Sequence, residues 1–250
     1  MLLVYGYVFM VGACVGSFVL LAAERIPKGE NIMKGRSHCD HCGHQLVWYE
    51  LIPLVGYCMC KGRCRYCKQS LSYVYPLMEI TGGTVACICF HHYYIHPYTF
   101  TSFLIAMILL VISIIDYRTM RIYDSCLFAL ACAGVLHWFV GGNVNLLEHL
   151  FSMAVISVPM YIITHYVKDA FGQGDVELMM ITGLFLTPVQ NILALMLGSL
   201  SAGIFCLYDL RHGGFSKGKH IPFVPYLSFG IVVSLLYGDS IVAWYIRMFY

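Results

Sequence analysis

Charge is what this sequence has least of. Of 250 residues only 15 are Lys or Arg and 13 are Asp or Glu, while 60% are hydrophobic. A soluble domain carries about a quarter charged residues and is about half apolar. Too few charges remain to cover a globule of this size. That excludes a soluble enzyme, a disordered regulator and a nucleic-acid binder with a broad basic face. Coiled-coil heptads, repeats of about 20–50 residues and low-complexity segments are absent as well. So is a basic segment ahead of the first apolar run, and Met1–Ala23 therefore reads as a retained helix rather than a cleaved signal peptide.

What stands in place of charge is a series of apolar runs near the ~20 residues that a membrane-spanning helix needs. They are Met1–Ala23, Val74–Tyr94, Tyr98–Ile115, Ser125–Val140, Leu150–Val167, Val176–Thr187, Val189–Leu210 and Pro222–Tyr245. The expected fold is an all-α polytopic membrane protein of about eight spans, with 1–97 as an N-terminal part and 98–250 as a membrane core. Basic residues test this division. Arg25, Lys28, Lys34, Arg36, Lys61, Arg63, Arg65 and Lys68 follow the first run, and Arg118 and Arg121 follow the third. Lys168 follows the fifth, and Arg211, Lys217 and Lys219 the seventh, leaving only Arg247 on the other side. Lys and Arg favour cytoplasmic loops, so both termini are expected outside and the long polar loop in the cytoplasm.

That loop, Glu24–Tyr73, holds Cys39-Asp40-His41-Cys42 and Cys64-Arg65-Tyr66-Cys67. Each C-x2-C pair can offer two thiolates from one tight turn, and two pairs complete a tetrahedral zinc site. Disulfides are the competing reading, disfavoured in a reducing cytoplasm. A closed four-thiolate site is structural, so the metal is expected to fold the loop, with no part in catalysis. Cys58, Cys60, His41 and His44 stand close enough in sequence to exchange as ligands. The remaining six cysteines read as small packing residues in helices.

An acid in hydrocarbon is a functional candidate by default. Asp116 closes the third run, Asp175 stands in Gly172-Gln173-Gly174-Asp175 at the start of the sixth, and Glu79 lies inside the second. The topology puts Asp116 and Asp175 at one depth. Two carboxylates held together share a proton and can activate a water, one as base and one as acid. Pairing with nearby Arg118, Arg121 or Lys168 is the plainer alternative.

Taken in order along the chain, these motifs resemble the type IV prepilin peptidases, polytopic bacterial aspartic proteases of the GxGD type. The matching segments begin with Gly16-Ser17-Phe18 and Arg25-Ile26-Pro27. Arg36-Ser37-His38-Cys39, Cys42-Gly43 and Trp48-Tyr49-Glu50-Leu51-Ile52-Pro53 follow, then Gly62-Arg63-Cys64-Arg65-Tyr66-Cys67 and Tyr75-Pro76-Leu77-Met78-Glu79. Ile115-Asp116 with Ile122 and Asp124, Gly172-x-Gly174-Asp175-Val176, and Ile221-Pro222-Phe223 with Pro225 complete the series. The resemblance implies Asp116 and Asp175 as the catalytic dyad, cutting the short basic leader of prepilins or pseudopilins at the cytoplasmic face of the inner membrane. It also implies methylation of the new N-terminus from S-adenosylmethionine, through the N-terminal part. Partners would be these substrates and membrane lipid, with no nucleic acid, in pilus, secretion or competence systems. The chain departs from the family pattern at Leu20, Tyr123 and Glu177, where Asn, Pro and Lys are common. An ion- or metal-coupled transporter is the alternative class, and it would call for matching halves that the sequence does not display.

Overall fold

The computed structural model describes all residues except 34–37, 40, 143–144, 168–169, 213–220 and 250, and gives only the backbone of residue 249. Arg36, Ser37 and Asp40 of the motifs above, and Lys34, Lys168, Lys217 and Lys219, therefore lie outside the described residues. The chain forms two compact units, Met1–Thr99 and Phe100–Tyr250. Among the described residues it is helical, with two isolated β-bridges, His38 to Gln45 and Arg63 to Ser70.

In the first unit α1 (Leu2–Arg25) packs along α3 (Val74–Tyr93), and between them the polar loop folds into short turns and the five-residue α2 (Val55–Met59). Glycine sets the α1–α3 distance. A Cβ on Gly12 would stand 2.5 Å from Ala86 Cβ and 2.6 Å from the Gly82 carbonyl oxygen, and one on Gly82 would stand 2.8 Å from Gly16 Cα. Gly12-x-x-x-Gly16 faces Gly82 and Gly83, so the two backbones touch. This is the small-residue packing that replaces hydrophobic driving force in an apolar solvent.

The second unit contains α4 (Pro97–Thr119, entering from the first unit), α5 (Asp124–Gly141), α6 (Leu146–Tyr166), α7 (Gln173–Thr182), α8 (Pro188–Arg211) and α9 (Val224–Phe249). Pro188 begins α8 behind a full capping box. Thr187 Oγ1 accepts the Gln190 N–H at 3.3 Å, and Gln190 Oε1 accepts the Thr187 N–H at 3.0 Å. Gly198 and Gly230 bring α8 and α9 together, a Cβ on Gly230 lying 2.7 Å from the Gly198 nitrogen. Large apolar side chains such as Phe128, Phe139, Leu147, Phe151 and Leu200 are exposed on the outer faces, as lipid-facing helices require.

Among the described residues six helices, α1, α4, α5, α6, α8 and α9, are long and apolar enough to cross a membrane. The other two expected spans differ for separate reasons. α3 has the length, but Glu79, His91, His92 and two glycines lower its apolar content. The expected run Val176–Thr187 is instead the 10-residue α7 followed by a turn, about 15 Å of helix where ~30 Å is needed.

A helix that stops halfway leaves carbonyls without partners, and the end of α7 is furnished for this. Thr182 Oγ1 donates to the Met179 carbonyl at 2.7 Å, His149 Nδ1 to the Gly183 carbonyl at 3.1 Å, and Ser152 Oγ to the Leu186 carbonyl at 2.8 Å. Asn191, fully buried, donates to the Ser152 carbonyl at 3.0 Å and has its own oxygen 2.9 Å from Thr182 Oγ1.

The glycine contact predicts a local sensitivity. Gly12→Val should lower the thermal-unfolding midpoint in detergent by several degrees, about 1–3 kcal/mol of overpacking. Gly6→Val on the same helix, where an added Cβ meets nothing within 4 Å, should leave it nearly unchanged. Equal effects at both positions would contradict the close approach.

Candidate active site and metal centre

Three separated segments of the second unit converge on Asp116. The residue closes α4 and is only 6% exposed. Its Oδ2 accepts the backbone N–H of Val224 at 3.3 Å, from the first residue of α9, where the helix dipole favours negative charge. The turn before α7 arrives from another direction. A Cβ on Gly174 would meet Ile122 at 2.9 Å, so only glycine lets the 172–175 turn lie this closely on the segment following α4. Phe171 and Phe223, with ring centroids 6.1 Å apart, join the same turn to the entry of α9.

Asp175 is the third residue of α7, and its Oδ2 accepts the Gly172 N–H at 3.2 Å. Gly172 has no side chain, so this is the carboxylate half of a capping box alone. Burial carries the Asp175 carboxyl up to about 6, and the Asp116 charge adds to the rise against the pull of the Gly172 N–H. The Asp175 carboxyl thus lies within the field of Asp116. Glu177 is occupied by Gln173 Nε2 at 3.0 Å. Asp124 stands in the first turn of α5 behind Tyr123 at the cap position. Ser113, one turn before Asp116, bonds Ser228 of α9 at 2.9 Å, fixing α4 against α9 just below the carboxylate. Spacing along the chain gave no sign of the Val224 donor or of this serine pair.

In the first unit the sulfurs of Cys39, Cys42, Cys64 and Cys67 all lie within 4.8 Å of one another. Two like knuckles present them. Cys39 N–H bonds the His44 carbonyl and Gly43 N–H the Cys39 carbonyl, both at 2.9 Å; Cys64 N–H bonds the Gln69 carbonyl at 2.8 Å and Lys68 N–H the Cys64 carbonyl at 2.9 Å. Gly43 and Lys68 hold the matching left-handed position, φ 68 and 62. Across the knuckles Cys39 and Cys67 sulfurs are 3.9 Å apart, and Cys42 and Cys64 4.0 Å. A tetrahedron with metal–sulfur bonds of about 2.3 Å has edges of about 3.8 Å, whereas a disulfide needs about 2.05 Å. The set fits a four-thiolate metal ion. Backbone N–H groups of Cys67 and Tyr66 pull the Cys64 thiol down to about 7. Cys67 receives the Gln69 N–H, yet burial and the other three sulfurs carry it up to about 11. Thiolates that oppose one another in this way are relieved by a shared cation. Among the described residues Cys58, Cys60, His41 and His44 are not part of the cluster, and the His44 ring packs on Tyr66, with centroids 3.4 Å apart.

Beneath the knuckles lies a cavity of about 350 Å³, lined among others by Ser17, Lys28, Tyr57, Arg65, Tyr75 and Glu79. Glu79 forms its floor at 8% exposure. Its Oε2 accepts the Leu54 N–H at 2.7 Å, and the Ser17 hydroxyl donates to the same carboxylate. Leu54 has φ 63 and ψ −44, and the Val55 N–H returns to the Pro53 carbonyl at 2.7 Å. This is a γ-turn of the strained, positive-φ kind, held by a residue 25 positions further along the chain.

Apolar helices long enough to span a bilayer define a multi-pass membrane protein, and its second unit brings the segments that carry Asp116 and Asp175 near one another. Residues 10–93 match the bacterial peptidase A24 N-terminal domain, and residues 103–207 match the type IV leader peptidase family. The chain belongs to that family. A prepilin leader peptidase/N-methyltransferase of Bacillus subtilis (strain 168) is 28% identical, covering 96% of this chain and 97% of that relative. Proteins of the same name from Aeromonas salmonicida (strain A449) and Stutzerimonas stutzeri are 27% and 28% identical, covering 98% and 92% of this chain and 94% and 81% of theirs. No solved structure matches the chain.

Two outcomes follow from the geometry. The folded Asp175 carboxyl keeps its proton to a higher pH than its ordinary value of 3.8, so its contribution to stability is full below that value and declines as pH rises through about 6. The unfolding free energy of Asp175→Asn should therefore gain on that of the wild type by on the order of 2 kcal/mol between about pH 4 and about pH 7.5, read as a relative rise of its thermal midpoint. A gap independent of pH would contradict the raised value. Metal analysis should return one tetrahedral divalent ion per chain, lost when Cys39 and Cys42 are both replaced by Ser; an unchanged metal content would rule out the thiolate cluster.

Proposed function

We propose that this protein is an aspartic endopeptidase of the inner membrane that removes the short basic leader of prepilins or pseudopilins, with Asp116 and Asp175 as its dyad. The observation that supports the reading most is the meeting of α4, the 172–175 turn and the first residue of α9 around those two acids. Asp175, whose carboxyl is pushed up to about 6, holds the shared proton. Asp116, already bonded by the Val224 N–H, acts as base. A water between them gives its proton to Asp116 while its oxygen attacks the scissile carbonyl carbon, and the carbonyl oxygen takes the Asp175 proton. The gem-diol then collapses. Asp116 returns its proton to the leaving nitrogen, a diol hydroxyl restores the Asp175 proton, and the C–N bond breaks.

The basic loops favour an orientation with the cysteine loop in the cytoplasm, where a basic leader would remain while its apolar helix lies among the spans. Cys39, Cys42, Cys64 and Cys67 would hold a structural zinc ion, which ties the two knuckles together and supplies folding energy to a loop with little core. The same chain methylates the newly exposed N-terminus. S-adenosylmethionine supplies an electrophilic methyl group for this step, and the unit 1 cavity has the size expected of a small-molecule site.

The test is to incubate the purified protein with a leader-bearing prepilin and follow cleavage and product mass. Asp116→Asn and Asp175→Asn should each reduce cleavage about a thousandfold or more, and the double variant should lose little beyond either, because the pair acts as one unit. Normal cleavage by either variant would remove that residue from the dyad. The product of the wild type should carry one added methyl group when donor is present.

A further inference from the structure

The cysteine loop exposes more apolar surface than a segment facing only water needs. Trp48 is 74% exposed and Met59 66%, and Leu51, Val55 and Tyr66 are exposed as well. Single exposed apolar residues are ordinary, but these are joined. Val55 and Met59 stand one turn apart on one face of α2. That helix is clamped to the turn Trp48–Leu51, because a Cβ on Gly56 would run into the Glu50 carbonyl.

Beside this surface lies a second cavity, of about 440 Å³, which shares Glu50 and Arg65 with the first. Lys61, Arg63, Arg65 and Lys68 line it, all of them exposed, together with Tyr49 and Met59. From Leu51 to Met78 the sequence holds these four cations and no acid. Among the described residues Glu50 is the one acid on the wall, and its Oε2 is taken by the Val47 N–H at 3.0 Å. Arg65 donates to the Tyr49 hydroxyl at 2.9 Å, and Trp48 meets the same Tyr49 ring edge-on, with centroids 5.7 Å apart. The apolar surface and the cationic cavity are therefore continuous. Among the described residues Lys61, Arg63 and Lys68 form no ion pair and donate to no sulfur.

The occupant follows from charge and from tethering. Clustered Lys and Arg around an opening suit a phosphate and repel a basic peptide. The loop is also held at a membrane face by both its ends. α1 and α3 run antiparallel, with Gly12 against Ala86 and Gly16 against Met78, so the segment between them leaves and returns at one end of the pair. At that level Trp prefers the interface, and Lys and Arg meet the phosphates of an anionic leaflet. We propose that the 48–68 part of the loop docks on the bilayer that its own helices enter. Trp48, Val55 and Met59 dip among the headgroups, and the phosphate of an anionic phospholipid occupies the cavity of Lys61, Arg63, Arg65 and Lys68. Docking of this kind fixes the height of the cysteine knuckles above the membrane.

The full chain in nanodiscs of neutral phosphatidylcholine, or of phosphatidylcholine with about 30% phosphatidylglycerol, tests this. A headgroup-level nitroxide lipid quenches tryptophan, and the share lost on Trp48→Phe reports Trp48. That share should be at least about twice as large in anionic discs as in neutral ones, and should shrink in about 0.5 M salt. Equal shares in the two discs overturn the proposal, as does no quenching of Trp48 in either, which would leave the surface to a protein partner. Inorganic phosphate at about 10 mM, with ionic strength matched by chloride, should leave the difference in place. Its disappearance would assign the cavity to free phosphate and overturn the lipid. The triple variant Lys61→Gln, Arg63→Gln, Lys68→Gln, which spares the Arg65–Tyr49 bond, should behave in anionic discs as the wild type does in neutral ones. Unchanged quenching at an unchanged thermal midpoint would show that the cations do not read the lipid. If the midpoint of that variant falls by several degrees, the cations also serve the fold, and the wild-type comparison of the two discs decides alone.

Discussion

Helices dissolved in hydrocarbon gain nothing by hiding apolar side chains from it, and must hold together by close packing and by hydrogen bonds that lipid cannot offer. The rest of this structure depends on that constraint. Gly12 and Gly16 against Gly82, and Gly198 against Gly230, let pairs of backbones touch. The same device operates at Gly174, where the missing Cβ lets the turn carrying Asp175 rest on Ile122. Packing in both units is thus set by one principle: where the backbone must come close, a side chain is absent.

The polar groups obey the complementary rule. Asp116 has the Val224 N–H, Asp175 the Gly172 N–H and Glu79 the Leu54 N–H. Each of these three acids is met by a backbone donor from a distant part of the chain or from the opening of its own helix. Such donors carry no charge of their own, so they hold a carboxylate in place without fixing it as an anion.

Much of this was legible in the sequence. The paired C-x2-C spacing anticipated four converging sulfurs, because each knuckle is a local structure. The apolar runs anticipated the helices, because length and composition alone decide whether a segment can span. What could not be read was every contact made by backbone. Val224 and Leu54 act through N–H groups that all residues but proline possess, so no residue type marks them. The failure of α3 and α7 to qualify as spans was hidden for a related reason. An apolar run reports what a segment can dissolve in, and not where a neighbour such as Asn191 makes it stop.

That stop at Thr182 matters to the other end of the same helix. Asn191, Ser152 and His149 anchor the inner end of α7 to α8 and α6, and Asp175 rides on its first turn. A helix of ten residues is a stiff strut of about 15 Å. Its foot stands on a polar anchor in the interior of the protein, so the level of the Asp175 carboxyl is measured outward from that anchor. A bilayer that thickens or thins around the molecule would move the lipid surface past the Asp175 carboxyl without moving that carboxyl within the protein.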